Sequence, residues 1–241
     1  MKIITLENAA QIGEQLGCYY VDFVKAHPSC VLGLATGATP LPTYAAIVKA
    51  FQAGEVSFAD VTTFNLDEYC DLPKENKNSY YTFMWQNLFQ YLDIKAENVN
   101  FLDGNAANYD AESRRYAEAI RAAGGIDLQF LGIGRNGHIA FNEPADAFTD
   151  EAFRVALTQS TIDANSIYFD DAPMPHYAMT MGIGSIMRSK QIVLVATGES
   201  KAQAVKGMIE GEVTPRLPAS VLQQHADVTV YLDKAAASLL G

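Results

Sequence analysis

The sequence predicts an α/β fold: a doubly wound, mostly parallel sheet with helices on both faces. Three observations predict it. Cys30–Ala35, Val61–Leu66, Ile126–Leu131 and Gln191–Ala196 are short, largely apolar runs, the pattern of parallel strands buried on both faces. Helical patterns separate them. Each run ends in a polar or Gly-rich tip, and ligands of open parallel sheets bind outside the carboxyl ends of the strands. With 241 residues, 49% of them apolar, the chain is large enough to form one domain over residues 1–241.

The elements follow in order. Leu6–Ala26 reads as a helix with Ile12, Leu16, Tyr19, Tyr20 and Phe23 on one face. Cys30–Ala35 is a strand. Pro40–Gln52 is a helix with Pro40 in its first turn, where the missing N–H costs nothing. Val61–Leu66 is a strand, and Ser79–Leu92 an aromatic-rich helix with Ser79 as N-cap. Val99–Leu102 is a short strand, and Tyr109–Ala123 a helix stopped by Gly124-Gly125. Ile126–Leu131 and Gln191–Ala196 are strands, Ser200–Glu210 a helix and Val228–Leu232 the last strand. Residues 143–175 carry Pro144, Pro173 and Pro175 without a strong apolar run. They read as a partly helical excursion near the site, either a lid or a plain surface insertion.

A net charge of −11 excludes general electrostatic binding to nucleic acid or an anionic membrane. An anion would have to be held locally, by backbone N–H groups and one or two cations. Cys18, Cys30 and Cys70 form neither a C-x-x-C pair nor a metal-ligand spacing, as expected in a reducing cytoplasm. The N-terminus lacks the apolar region of a signal peptide, and no run approaches the roughly 18 apolar residues of a membrane helix.

The four tips carry the candidate chemistry. Thr36-Gly37-Ala38-Thr39-Pro40 lies between a strand and a helix, where N–H groups and hydroxyls make an anion cradle. It lacks the Lys-Ser/Thr pair of a Walker loop, so a sugar phosphate suits it better than ATP. Lys201 opens a helix, a position unfavourable to a cation unless an anion shares it. Asp67 and Glu68 end a strand. Alternation points one into the pocket and the other away, and either could be a base for a proton on carbon beside a carbonyl. His138, with Asn136 and Glu143 as partners, suits proton shuttling near neutral pH.

Gly132-x-Gly134-x-x-Gly137 matches the dinucleotide fingerprint, but no helix opens at its third glycine because Pro144 follows too soon. The glycines instead let a tight loop bring its backbone to a small ligand. His27, His138, His176 and His225 show no metal-ligand spacing.

The segments Leu34-Ala35-Thr36-Gly37-Ala38-Thr39-Pro40, Phe64-Asn65-Leu66-Asp67-Glu68-Tyr69, Gly132 through Pro144, and Thr180-Met181-Gly182 resemble the glucosamine-6-phosphate deaminases, in order and spacing over nearly the whole chain. Galactosamine-6-phosphate deaminases and 6-phosphogluconolactonases share that superfamily. The resemblance implies a fold similar to ribose-5-phosphate isomerase and a cofactor-free reaction of glucosamine 6-phosphate and water to fructose 6-phosphate and ammonia. It implies ring opening by His138, oriented by Asn136 and Glu143, and transfer of the C2 proton to C1 by Asp67. The Thr36–Thr39 loop, Gly137 and Lys201 would hold the substrate, mainly its phosphate.

Two positions depart from the pattern. Asn136 stands where many relatives, chiefly the longer ones, have aspartate, and Ile167 where relatives usually have an arginine near the phosphate. The chain also ends soon after its last strand, like the short members, which implies a monomer or dimer. The alternatives are a galactosamine-6-phosphate deaminase, a lactonase that would not need Asp67, and a sugar-phosphate sensor without turnover.

Overall fold

The computed structural model describes residues 1–169 and 173–241. Strand β1 (Lys2–Leu6) leads to helix α1 (Ala9–Ala26), strand β2 (Val31–Leu34) and helix α2 (Leu41–Gln52). Strand β3 (Thr62–Asn65) runs almost directly into β4 (Asp67–Tyr69). Helix α3 (Tyr80–Asn87), strand β5 (Val99–Asn100), helix α4 (Tyr109–Ala122) and strand β6 (Leu128–Leu131) follow. Next come β7 (Phe153–Ala156), α5 (Gln159–Asn165), β8 (Tyr177–Thr180) and α6 (Ile183–Met187). The chain closes with β9 (Gln191–Ala196), α7 (Ala202–Glu210) and β10 (Val228–Asp233).

Seven strands form one sheet in the order β1-β10-β9-β6-β2-β3-β5, and every pair in it is parallel. The chain winds outward from β2 through β3 to β5. It then returns to β6 on the other side of β2 and winds out through β9 and β10. The reversal lies between β2 and β6, so their carboxyl ends flank the crevice where such sheets bind ligands. Two buried tyrosines tie down the tips. Tyr44 Oη donates to the Ala35 carbonyl (2.6 Å) at the end of β2, and Tyr116 Oη to the Asn65 carbonyl (2.6 Å) at the end of β3.

The first expected helix begins later than predicted, because Lys2–Leu6 forms an edge strand against β10 and Asn8 caps α1 through Gln11 N. The buried face of α1 is Ile12, Leu16, Tyr20, Val21 and Val24, whereas Tyr19 is exposed. Glycines shape that face. A Cβ on Gly13 would meet Pro42 at 2.3 Å and one on Gly17 would meet Ala46 at 2.4 Å, so α1 lies tight against α2.

The excursion at 143–175 is more than a helical insertion; its residues 170–172 lie outside the described residues. It supplies β7 to a second sheet, β4-β8-β7, which is antiparallel. Leu66 joins the two sheets: its N–H donates to Leu34 O (3.2 Å), and its carbonyl accepts from Met181 N (2.7 Å). A second small core of Tyr69, Leu72, Phe141, Leu157, Phe169, Met174 and Ala178 packs against the antiparallel sheet.

Candidate active site

The four tips meet in one cleft of about 450 Å³, within the range of small-ligand sites. Thr36–Thr39, Asp67, the Gly132–Asn136 turn with His138, and Thr197 with Ser200 and Lys201 all line it. Residues of α5 and the turn after it, including Thr161, Asn165, Ile167 and Tyr168, complete the wall.

Asp67 and Glu68 go opposite ways, as strand alternation requires. Asp67 faces the cleft and is 6% exposed. Burial, with the Glu68 charge beside it, pushes its carboxyl up to about 8. Glu68 is turned away and accepts from the backbone N–H groups of Tyr69 (2.8 Å), Tyr80 (2.9 Å) and Tyr81 (2.8 Å). It thereby closes the N-terminus of α3, which Ser79 also caps through Thr82 N. That holds Tyr80 at the cleft wall, where its hydroxyl donates to Tyr69 Oη (3.0 Å) and engages Thr36.

His138 sits on a loop that closes on itself: Gly134 N–H donates to His138 O (2.8 Å) and Gly137 N–H to Gly134 O (3.0 Å). A Cβ on Gly134 would lie 2.4 Å from the imidazole. Gly137 has φ +84°, the left-handed region glycine tolerates. It shapes the loop but does not line the cleft, so the structure gives it no direct place at a ligand.

Glu143 likewise stands behind the histidine rather than in the cleft wall. Its Oε2 lies 3.3 Å from His138 Nδ1 and accepts from Asn136 Nδ2 (2.7 Å). Its Oε1 accepts from Thr161 Oγ1 (2.5 Å). Burial alone would raise its proton affinity, but His138, Thr161 and Asn136 outweigh it and hold the carboxyl down at about 2. An ionised carboxylate on Nδ1 fixes that nitrogen as the N–H side and leaves Nε2 for proton transfer. The neutral amide of Asn136 thus orients the carboxylate, which carries the charge.

The cradle and the lysine are also brought together. The start of α2 has no side-chain cap, so its positive end is open to an anion. Gly198 N–H, donating to both Asp233 oxygens (3.0 and 2.9 Å), anchors the loop that presents Lys201. Burial, and then the Arg135 charge, lower the Lys201 ammonium. Ile167 is 67% exposed at the rim and supplies no charge. Tyr80, Arg135, Thr161 and Ser200 were not singled out from the sequence. Arg135 lies inside the glycine motif, but nothing in the spacing directs its side chain. Among the described residues no three His, Cys, Asp or Glu side chains converge to hold a metal ion, and no helix is long and apolar enough to cross a membrane.

Residues 7–231 match the model of the glucosamine-6-phosphate isomerase/6-phosphogluconolactonase family. The chain belongs to this family. A glucosamine-6-phosphate deaminase of Thermoanaerobacter pseudethanolicus is 46% identical over all of this chain and 95% of its own length. One from Mycoplasma mycoides is 47% identical over all of this chain and 98% of its own. A solved structure of a monomeric glucosamine-6-phosphate deaminase superposes with a TM-score of 0.96 at 42% identity, covering 99% of this chain and 100% of that one. The 6-phosphogluconolactonase of Trypanosoma cruzi shares the fold, with a TM-score of 0.79 at 20% identity.

Proposed function

We propose that the protein converts glucosamine 6-phosphate and water to fructose 6-phosphate and ammonia. The carrying observation is that a buried carboxyl of raised proton affinity, Asp67, and a carboxylate-held histidine, His138, face one cleft with an anion cradle. An aldose–ketose shift with loss of nitrogen needs those three parts. Full-length relatives at 46–47% identity carry the deaminase name.

His138 Nε2 moves the proton between the O1 hydroxyl and the ring oxygen, which opens the pyranose. Asp67 then removes the C2 hydrogen from the open-chain aldehyde, giving an enolamine, and the proton returns at C1. The resulting C2 ketimine adds water, and the carbinolamine expels ammonia to leave the ketone. Thr36–Thr39 and Lys201 grip the phosphate, so the two proton-transfer groups meet C1 and C2 in fixed order. A base whose affinity lies near the working pH suits carbon-acid chemistry. Residues 1–241 act as one catalytic unit in this reading, with α5 and the turn after it covering the cleft from within the excursion. The free cysteines and a metabolic substrate fit a cytoplasmic location, and of the expected monomer or dimer the monomeric deaminase that superposes on the chain favours the monomer.

The test is ammonia release from glucosamine 6-phosphate, its C4 epimer galactosamine 6-phosphate and free glucosamine. Rapid release from the first alone is expected. Preference for the C4 epimer would reassign the substrate, and hydrolysis of 6-phosphogluconolactone without ammonia release would replace the reading.

A further inference from the structure

Arg135 and Lys201 both line the cleft, and no carboxylate pairs with either among the described residues. The Arg135 charge acts on the Lys201 ammonium. Neither cationic head has a hydrogen-bond acceptor or carboxylate partner among the described residues. Acids outnumber bases 28 to 17 in the chain, yet none of them pairs with either of these two cations among the described residues. Arg115, Arg121, Arg188 and Arg216 each pair with an acid, and Arg154 lies over the rings of Tyr177 and Tyr109. Two adjacent like charges, one half-buried, raise each other's energy and gain from a shared anion. The acid of the cleft does not serve them: among the described residues Asp67 pairs with neither cation, and it comes from the tip of β3, on the far side of β2 from β6 and β9.

We propose that Arg135 is the second cation of the anion site, and that the Arg135–Lys201 pair selects a dianionic phosphate monoester over a singly charged anion. This rests on the reading of the cleft as a sugar-phosphate site. A phosphate monoester carries nearly two negative charges at neutral pH and three acceptor oxygens. Lys201, as a point charge, neutralises one of them. Arg135 offers a planar fork of donors from the turn after β6, while Lys201 comes from the loop after β9. Because β6 and β9 are neighbours, both heads approach one anion from adjacent strand ends. Ile167, facing the same rim with an aliphatic side chain, leaves that task to Arg135.

The test compares wild type, Arg135→Gln and Arg135→Lys, all checked for unchanged Tm. Binding of inorganic phosphate and of glucitol 6-phosphate is measured by calorimetry at pH 7.5, with glucitol 6-sulfate as a singly charged control. Arg135→Gln should weaken both phosphate ligands about ten- to a hundredfold and the sulfate much less, so the preference for the dianion collapses. Arg135→Lys should recover part of it. With glucosamine 6-phosphate, KM should rise while kcat stays within about twofold, the signature of lost uniform binding. Wild-type phosphate affinity in Arg135→Gln, or equal losses for phosphate and sulfate, would overturn the proposal. If wild type released no ammonia yet the phosphate losses occurred, the deaminase reading would fall and the role of Arg135 would stand.

Discussion

Asp67 and Glu68 are adjacent carboxyls with opposite surroundings, and each environment sets a distinct expectation. Asp67 is buried without a hydrogen-bonded cation, so in the empty protein it holds its proton up to about pH 8. As the base on C2 it must be ionised. kcat/KM, which reports the free enzyme, should therefore rise with pH and level off above about 8. Asp67→Asn should keep phosphate binding yet lose both turnover and exchange of the C2 hydrogen in deuterated water. Retained exchange would move the role elsewhere. The same substitution changes stability with a fixed sign. A carboxyl whose folded affinity is raised stabilises below its unfolded value, near 4, and loses that contribution as pH rises through about 8. The Tm of Asp67→Asn relative to wild type should thus climb between pH 4 and pH 9. Glu68 acts on the same proton from behind. Asp67 feels the Glu68 charge, and its own charge reaches the hydroxyls of Tyr69, Tyr80 and Tyr116. Glu68→Gln keeps one acceptor oxygen for the Tyr69 and Tyr80 N–H groups, gives up the one that serves Tyr81 N–H, and removes the charge, so the acid limb of kcat/KM should move to lower pH at some cost in Tm. An unmoved limb would mean that Glu68 only caps the helix.

At the scale of elements, the His138 loop converts backbone geometry into chemistry. The imidazole occupies the space that a side chain on Gly134 would need. Gly134→Ala should push the ring off Glu143 and lower kcat by about a hundredfold, as small misplacements of a catalytic group do, with little change in Tm. A kcat within a few fold of wild type would show that the loop relaxes freely. The loop also shows what a sequence can reveal. β2, β6, β9 and β10 were legible because strands buried on both faces are largely apolar runs, β3 through the apolar Val61, Phe64 and Leu66 around it, and the tips of β2, β3, β6 and β9 named the candidate residues. β1, β4, β7 and β8 were not. They are short, β1 and β7 are part-exposed, and β4 follows β3 after the single residue Leu66, which no periodicity separates. The antiparallel sheet is assembled from segments more than a hundred residues apart, and that pairing leaves no local signature. For the same reason alternation said that Asp67 and Glu68 diverge but not which faces the cleft. The tight bond of Thr161 to Glu143 likewise depends on a helix 18 residues downstream.

The whole molecule is closed by its two ends. β10, the last strand, lies inside the parallel sheet between β1 and β9, while β1, the first strand, lies at the edge. Val228, Val230 and Leu232 are buried, whereas β1 is largely exposed. The first strand therefore has no partner until the last one is in place, and β9, whose tip presents Lys201, lacks a neighbour on one side until then. Asp233, at the end of β10, anchors the Gly198 loop as well, so the C-terminal strand reaches directly into the geometry of the anion site. Opposite outcomes follow for the two ends. Removing residues 1–7 strips an edge strand and should leave a soluble protein with a lowered Tm and near-normal KM. Removing residues 226–241 takes three buried aliphatic side chains from the sheet interior, each worth about 1.5–3 kcal/mol of burial, and leaves β9 as a raw edge open to pairing with other chains. That truncation should be insoluble or molten. Removing only residues 239–241 should be tolerated. Soluble yield, far-ultraviolet circular dichroism and thermal melts distinguish these cases, and a well-folded, active 1–225 fragment would refute the argument that the interior position of β10 locks the fold.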